Sequence, residues 1–213
     1  MSRVAIIGSG EVGQALARGF KAHGYEVRIA SRTPEKLADF SREAGIPTST
    51  FSEAASWCDG AVLAVRGDGA LAAIEAAGPA NLDGKWVIDA SNPLAAEPPD
   101  DGVIRYFTGP NDSLMERLQA GYPGIRFVKA FNSVGSHFMV NPTWPEARGT
   151  MFYCGNDAAA KKTVATIIEQ FGWEGWDMGT ATSARALEPL AQLWVLPGLR
   201  ENRWSHAFRL MPL

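Results

Sequence analysis

The residues whose types and spacing could do chemistry stand near the amino end. Gly8-Ser9-Gly10-Glu11-Val12-Gly13 is a G-x-G-x-x-G turn. The first glycine permits a tight turn, the second lets backbone approach a diphosphate, and the third lets a helix sit close on the preceding strand. The unpaired N–H groups of that helix's first turn then face the phosphate charge. About twenty residues further on, a pocket for an unphosphorylated adenosine ribose would place an Asp or Glu. Here the chain reads Ile29-Ala30-Ser31-Arg32, with no acid, and Lys36 follows one helical turn later. A hydroxyl, a planar guanidinium and an ammonium suit a phosphate. Cations are otherwise disfavoured at a helix N-terminus. The pattern points to a dinucleotide with a 2′-phosphate, NADP(H).

The elements that must position these residues follow from the apolar pattern. Val4 to Ile7 is a short run of strand formers, and Val12, Ala15, Leu16, Gly19 and Phe20 fall at helical spacing. Gly24 ends the helix, and Glu26 to Ala30 reads as a second strand. That strand–turn–helix–strand context separates the motif from an ordinary glycine-rich turn. Thr33 to Ala44 reads as a helix capped by Thr33, with Pro34 first and Gly45 past its end. Pro47 to Phe51 is a third strand, and Ser52 opens a short helix. Gly60 to Val65 is a continuous apolar run, the signature of a strand buried on both faces. Its end, Val65-Arg66-Gly67, falls in the crevice of such a sheet. Ala70 to Ala77 is helical, and Lys85 to Ala90 is strand five, followed by Ser91-Asn92-Pro93-Leu94. Ala95 to Gly102 and Asn141 to Gly149 read as loops, with a helix over Ser113 to Ala120 and a sixth strand over Arg126 to Phe131 between them. Thr150 to Cys154 is strand seven, Asn156 caps a helix with the stripe Val164, Ile167, Ile168 and Phe171, and Glu174 to Met178 is the last strand. Ala181 to Val195 is helical in pattern, with Pro189 starting, kinking or splitting it, and the tail from Pro197 to Leu213 is irregular.

Strands alternating with helices predict an α/β fold, a doubly wound parallel sheet of the Rossmann type. Residues 1–180 form it, and residues 181–213 pack on it as a small helical cap within one structural unit. Trp173, Trp176, Trp194 and Trp204, four of the seven tryptophans, lie in the last part of the chain. They can close over a cofactor, stack a flat ring, bury in a dimer or fill the core.

Composition narrows the partners. The chain has 213 residues, 46% hydrophobic and 20% charged, with formal charge −3. The charge argues against nucleic acid or an anionic membrane as partner. There is no run of about 18 apolar residues to span a bilayer. Met1-Ser2-Arg3 leads directly into strand one, which leaves no room for a signal peptide, so a cytoplasmic location is expected. Cys58 and Cys154 have no partner motif and read as small buried hydrophobes. His23, His137 and His206 have no metal-ligand spacing.

Five segments taken together resemble a known family. They are the glycine turn, Ile29-Ala30-Ser31-Arg32, Val87-Ile88-Asp89-Ala90-Ser91-Asn92-Pro93-Leu94, Val128-Lys129-Ala130-Phe131-Asn132, and Ala184-Arg185-Ala186-Leu187-Glu188-Pro189-Leu190. The set is similar to the NADP oxidoreductases that depend on the deazaflavin coenzyme F420, a family that also supplies the cytosolic domain of six-transmembrane metalloreductases. The resemblance implies a Rossmann domain with a small cap, a homodimer, and hydride transfer between NADPH and a flavin-like ring, with F420, FMN or FAD as the redox co-substrate. It implies that Ser9 to Val12 hold the diphosphate beside Gly8 and Gly13, and that Ser31, Arg32 and Lys36 hold the 2′-phosphate. Val65 and Arg66 then border the ribose, and Asn92, Pro93 and Ala130 border the nicotinamide, with Asn132 among the cofactor-binding residues. Where the family pattern has a proline after strand four, this chain has Arg66, a cation at the crevice mouth.

Hydride transfer needs positioning more than acid catalysis. His137 and Lys129 are the nearby groups able to move a proton, with His137 the catalytic candidate; a lone histidine is also commonly solvated or capping. Two other functions fit the same turn. One is an NADPH-dependent reductase of imines or ketones. The other is a binding protein that senses NADPH without turnover.

Overall fold

The computed structural model describes residues 2–145 and 147–211. Met1, Glu146, and Pro212 and Leu213 at the end of the expected tail lie outside the described residues. The strands and helices alternate as β1 (Arg3–Ile7), α1 (Glu11–Ala22), β2 (Glu26–Ala30), α2 (Ala38–Ala44), β3 (Thr48–Ser49), α3 (Phe51–Trp57) and β4 (Gly60–Leu63). They continue as α4 (Ala70–Ala77), α5 (Pro79–Leu82), β5 (Trp86–Asp89), α6 (Leu114–Gly121), β6 (Arg126–Lys129), β7 (Thr150–Gly155), α7 (Ala158–Gln170), β8 (Glu174–Asp177) and α8 (Ala184–Glu201). Val4, Ala5, Ile6 and Ile7 have no exposed surface. That is what a central strand with helices on both faces requires.

The eight-stranded sheet has the order β3-β2-β1-β4-β5-β6-β7-β8. The chain leaves β1 for β2 and β3 on one side, then returns to β4 on the other. The strand order therefore reverses at β1, and the crevice beyond the carboxyl ends of β1 and β4 is the expected ligand position. One core packs α1 and α7 against one face, through Leu16, Phe20, Val164 and Ile168. The second packs α3, α4, α6 and the start of α8 against the other, through Ala54, Ile74, Leu118 and Leu187.

The doubly wound architecture is as expected, with one exception to the all-parallel sheet. β7 pairs antiparallel to β6, and β8 then pairs parallel to β7. Parallel neighbours need a crossover, usually a helix. Between Lys129 and Thr150 the described chain forms only a short 3-10 turn, Ser136–Phe138, so it comes back in the opposite direction.

Several boundaries also differ. Thr33 makes no side-chain cap, and Pro34–Leu37 is a 3-10 turn before α2. The Ser31 hydroxyl already accepts from the Thr33 N–H at 3.2 Å, which tightens the turn there. β3 stops early because Thr50 leaves it to cap α3, in a capping box with Glu53. Asp157, not Asn156, caps α7; Asn156 instead accepts from the Ala181 N–H at 2.9 Å. The expected irregular tail begins too soon, since α8 runs on to Glu201 with Pro189 and Pro197 inside it. Proline opens the helical hydrogen-bond ladder. Around Pro189, carbonyls of α8 take donors from outside the helix: Asn132 Nδ2 donates to Leu187 O at 2.9 Å, and the Tyr106 hydroxyl to Glu188 O at 2.8 Å.

The tryptophans of the last segment mostly fill space. Trp173 is buried and donates to Met139 O at 3.0 Å. Trp194 is buried, donates to His206 O at 2.9 Å and stacks on the His206 ring. Trp204 lies on α8 at Gly198, where a Cβ would meet its ring at 2.3 Å. No helix among the described residues is long and apolar enough to cross a membrane.

The sheet interior tolerates little added volume. A Cβ at Gly60 would lie 1.9 Å from the Trp86 ring on the neighbouring strand. Gly60→Ala should therefore lower the unfolding free energy by about 1–3 kcal/mol, measured by urea denaturation.

Candidate functional site

The glycine turn joins β1 to α1 and sits against the end of β4. Gly8 has φ +135, and a Cβ there would lie 2.2 Å from Ala64 O. No other residue type fits that conformation and that gap. A Cβ at Gly13 would lie 2.2 Å from Gly8 O, so α1 closes on the turn itself more tightly than on the strand. Gly10 differs: a Cβ there would meet nothing within 4 Å. Open space therefore adjoins the first turn of α1, whose N-cap, Gly10, has no side-chain hydrogen bond to its N–H groups. The helical bonds begin with Gln14 N–H to Gly10 O at 2.9 Å, and the Gln14 side chain braces Ser9 O at 3.0 Å. Uncapped N–H groups beside an open cradle suit a bound anion such as a diphosphate.

Ser31 links this turn to the end of β2. Its hydroxyl oxygen lies 3.4 Å from that of Ser9. The Ser31 oxygen accepts from the Thr33 N–H, and its hydroxyl shares a contact with that of Ser9. Arg32 and Lys36 follow on the exposed rim, Lys36 within the 3-10 turn.

On the other side of the glycine turn lies a cavity of ≈ 390 Å³. Its walls are Gly10 to Val12, Ala64 to Gly67 after β4, and Ala90 to Asn92 with Leu94 after β5. It brings together six of the expected site residues: Gly10, Glu11, Val12, Val65, Arg66 and Asn92. A Cβ at Gly67 would lie 2.1 Å from Asn92 O, so glycine is needed for the two strand ends to meet. Arg66 is exposed at the mouth, 3.2 Å from the exposed Asp68 carboxylate. Pro93, Ala130 and Asn132 do not line this cavity; they are buried behind its wall. Asn132 Nδ2 donates to Asn92 Oδ1 at 3.1 Å, and Asn92 Nδ2 donates to Asn132 O at 2.7 Å. This reciprocal pair fixes the Asn92 amide. Phe131, between Ala130 and Asn132, has φ 62, a costly conformation for a bulky residue. It turns the chain off the end of β6 toward Asn92. His137 is exposed on the Ser136–Phe138 turn and is not part of the cavity lining.

Beneath this wall lies a cluster that the spacing of the chain did not reveal. Lys129, the last residue of β6, is fully buried. Its Nζ lies 2.7 Å from Asp89 Oδ2, 3.0 Å from Glu188 Oε1 and 2.8 Å from Ser91 O. The Asp89 contact falls off the hydrogen-bonding direction for Oδ2, so it acts as a charge contact more than a directed bond. Asp89 Oδ1 accepts from the Ser91 N–H at 3.0 Å and the Ser91 hydroxyl at 2.5 Å. Glu188, on α8, accepts from the Leu114 and Met115 N–H groups at 3.0 Å each, capping α6 from a distance in sequence. Burial pulls the Lys129 ammonium down in pKa, and the charges of Asp89 and Glu188 more than offset it, holding it above the ordinary lysine value. Lys129 thus stays protonated and is no proton carrier at neutral pH. A lone lysine ending an apolar strand, beside an aspartate ending the next one, is the sequence signal that could have suggested the pair. Glu188 gave no such signal.

The comparisons with known proteins converge. A profile of the family described as NADP oxidoreductase coenzyme F420-dependent matches residues 3–93. The chain is similar to a solved structure from Arthrobacter sp. FB24, described as an F420-dependent NADP-reductase. Identity is 30%, the TM-score is 0.92, and 100% of each chain is covered. It is 29% identical over 202 residues to metalloreductase STEAP3 of Rattus norvegicus, covering 92% of this chain and 38% of that protein's length. The chain therefore spans well under half of that relative. A reductive aminase from Aspergillus terreus, solved with NADPH4, cyclohexanone and allyl amine, shares the fold. Its TM-score is 0.67 at 18% identity, over 93% of this chain and 62% of that one.

Removing the buried cation should expose the cost of its partners. Lys129→Met leaves two buried carboxylates uncompensated and should lower stability by about 3–5 kcal/mol near neutral pH. The folded-state pKa of Lys129 is raised, so its contribution is complete below the unfolded lysine value, about 10.4, and fades as pH climbs through the higher folded value. The gap between wild type and Lys129→Met in urea midpoint should accordingly narrow above that pH.

Proposed function

The chain belongs to the family of NADP oxidoreductases dependent on coenzyme F420, and on that premise we propose that it transfers hydride between NADP(H) and a deazaflavin or flavin ring. The observation that carries this reading is the open space beside Gly10, at the uncapped start of α1. On one side the Ser9 hydroxyl touches that of Ser31, and on the other Gly10 lines the cavity edged by Asn92.

In this reading the turn from Gly8 to Gly13 holds the diphosphate with backbone N–H groups. The Ser31 hydroxyl, the Arg32 guanidinium and the Lys36 ammonium hold the 2′-phosphate. Val65 and Arg66 edge the ribose. Asn92, fixed by Asn132, offers its amide to the nicotinamide, with Pro93 and Ala130 forming the support behind it. When bound, the nicotinamide supplies or takes the hydride; the protein's share is to orient it and exclude water. The exposed His137 has no part in this step. Arg66, paired with Asp68 at the crevice mouth, favours an acceptor with anionic substituents.

Two results are expected. Arg32→Ala should weaken NADPH binding about tenfold or more, the worth of a charge-assisted hydrogen bond, and leave NADH binding within about twofold by calorimetry. In the second, wild-type protein and NADPH are mixed in turn with coenzyme F420, FMN, FAD and a cyclic imine, and the nicotinamide absorbance is followed. Oxidation by the deazaflavin or a flavin is expected. Oxidation by the imine alone would make the protein an imine reductase, and binding without any oxidation would make it a sensor.

A further inference from the structure

The buried cluster beneath the cavity is not electrically neutral. One ammonium, Lys129, faces two carboxylates, Asp89 and Glu188, and all three side chains are essentially without solvent exposure. Three of the four carboxylate oxygens accept hydrogen bonds, and the fourth, Asp89 Oδ2, meets the ammonium as a charge contact. Asp89 Oδ1 has the Ser91 N–H and hydroxyl, and Oδ2 has the ammonium. Glu188 Oε1 has the Met115 N–H and the ammonium, and Oε2 has the Leu114 N–H. That is the pattern of two ionised, acceptor-only groups. The formal charge of the cluster is −1. The N-terminus of α6 offsets about half a charge, which leaves an excess of negative charge sealed from water.

This charge lies close behind the cavity wall. Ser91 lines the cavity and is bonded at once to Asp89, through its N–H and hydroxyl, and to Lys129, through its carbonyl. Asn92 is the next residue along the wall. The other charges of the lining, Glu11 and Arg66, are opposite in sign and exposed, so solvent screens them. The cluster's field is the one that low dielectric preserves.

We propose that the Asp89–Lys129–Glu188 cluster sets the redox preference of the bound cofactor, favouring its oxidised form over its reduced form. This rests on the reading above, in which the nicotinamide lies beside Asn92. The ring is cationic when oxidised and neutral when reduced. When hydride leaves its C4 with two electrons, the nicotinamide is oxidised and gains a positive charge while the flavin-like acceptor is reduced. A fixed negative charge behind the ring stabilises the product side of that exchange on the enzyme and so favours hydride donation from NADPH. Asp89, Lys129 and Glu188 touch neither cofactor nor acceptor. They act through the field and through Ser91.

Calorimetric titration with NADP⁺ and with NADPH tests this without any turnover. Asp89→Asn keeps the side chain's shape and an oxygen for Ser91, and makes the cluster formally neutral. The ratio Kd(NADP⁺)/Kd(NADPH) should rise about threefold or more relative to wild type. Glu188→Gln removes the same charge from the other arm and should move the ratio the same way. It carries the test alone where Asp89→Asn does not fold. A ratio unchanged in the folded variants overturns the proposal, and so does parallel weakening of both forms, which would mean that the cluster only positions the wall. Wild-type protein that binds neither form overturns the cofactor reading and this inference together. Wild-type binding with an unmoved ratio overturns this inference alone.

Discussion

An ammonium taken out of water must be met by counter-charge, and Lys129 is met from two directions. Asp89 stands on the neighbouring strand and Glu188 on the last helix. That single requirement joins β5, β6, α6 and α8 at one point. Glu188 meets Lys129 while its oxygens also cap α6, and Asp89 meets it while its other oxygen accepts from Ser91. Replacing a buried ion pair by apolar side chains is often neutral in stability. Its worth here lies in geometry: few other arrangements of the carboxy-terminal helix on the sheet satisfy the same charges.

The two walls of the crevice are made by opposite means. On the amino side the wall is defined by missing side chains. Gly8 and Gly13 let backbone pack on backbone, while Gly10 leaves room for something outside the chain. On the far side the wall is a buried polar network. The Asn92–Asn132 pair, the left-handed Phe131 and the charged cluster hold it rigid. A soft loop in either place would lose the orientation that hydride transfer demands.

The antiparallel step at β7 shows how the carboxy-terminal part adjusts to this frame. With no helix to carry it over the sheet, the segment after β6 returns directly, and its 3-10 turn packs on α1. Helix α8 then lies where Asn132 and Tyr106 can satisfy carbonyls near its first proline.

Short-range physics was legible in the chain. The glycine turn, the apolar strands, the absence of an acid after β2 and the serine, arginine and lysine in its place follow from local sterics and local charge. They need no partner distant in sequence. The cap of α7 falls to Asp157 and not Asn156 because two adjacent polar side chains compete for one N–H group, while the segment after Thr33 tightens into a 3-10 turn that takes no side-chain cap. The direction of β7, the length of α8, the burial of Asn132 behind Asn92 and the meeting of Asp89, Lys129 and Glu188 were decided only on folding. Each depends on groups tens of residues apart competing for the same buried donors and acceptors, and that competition exists only once the interior has closed.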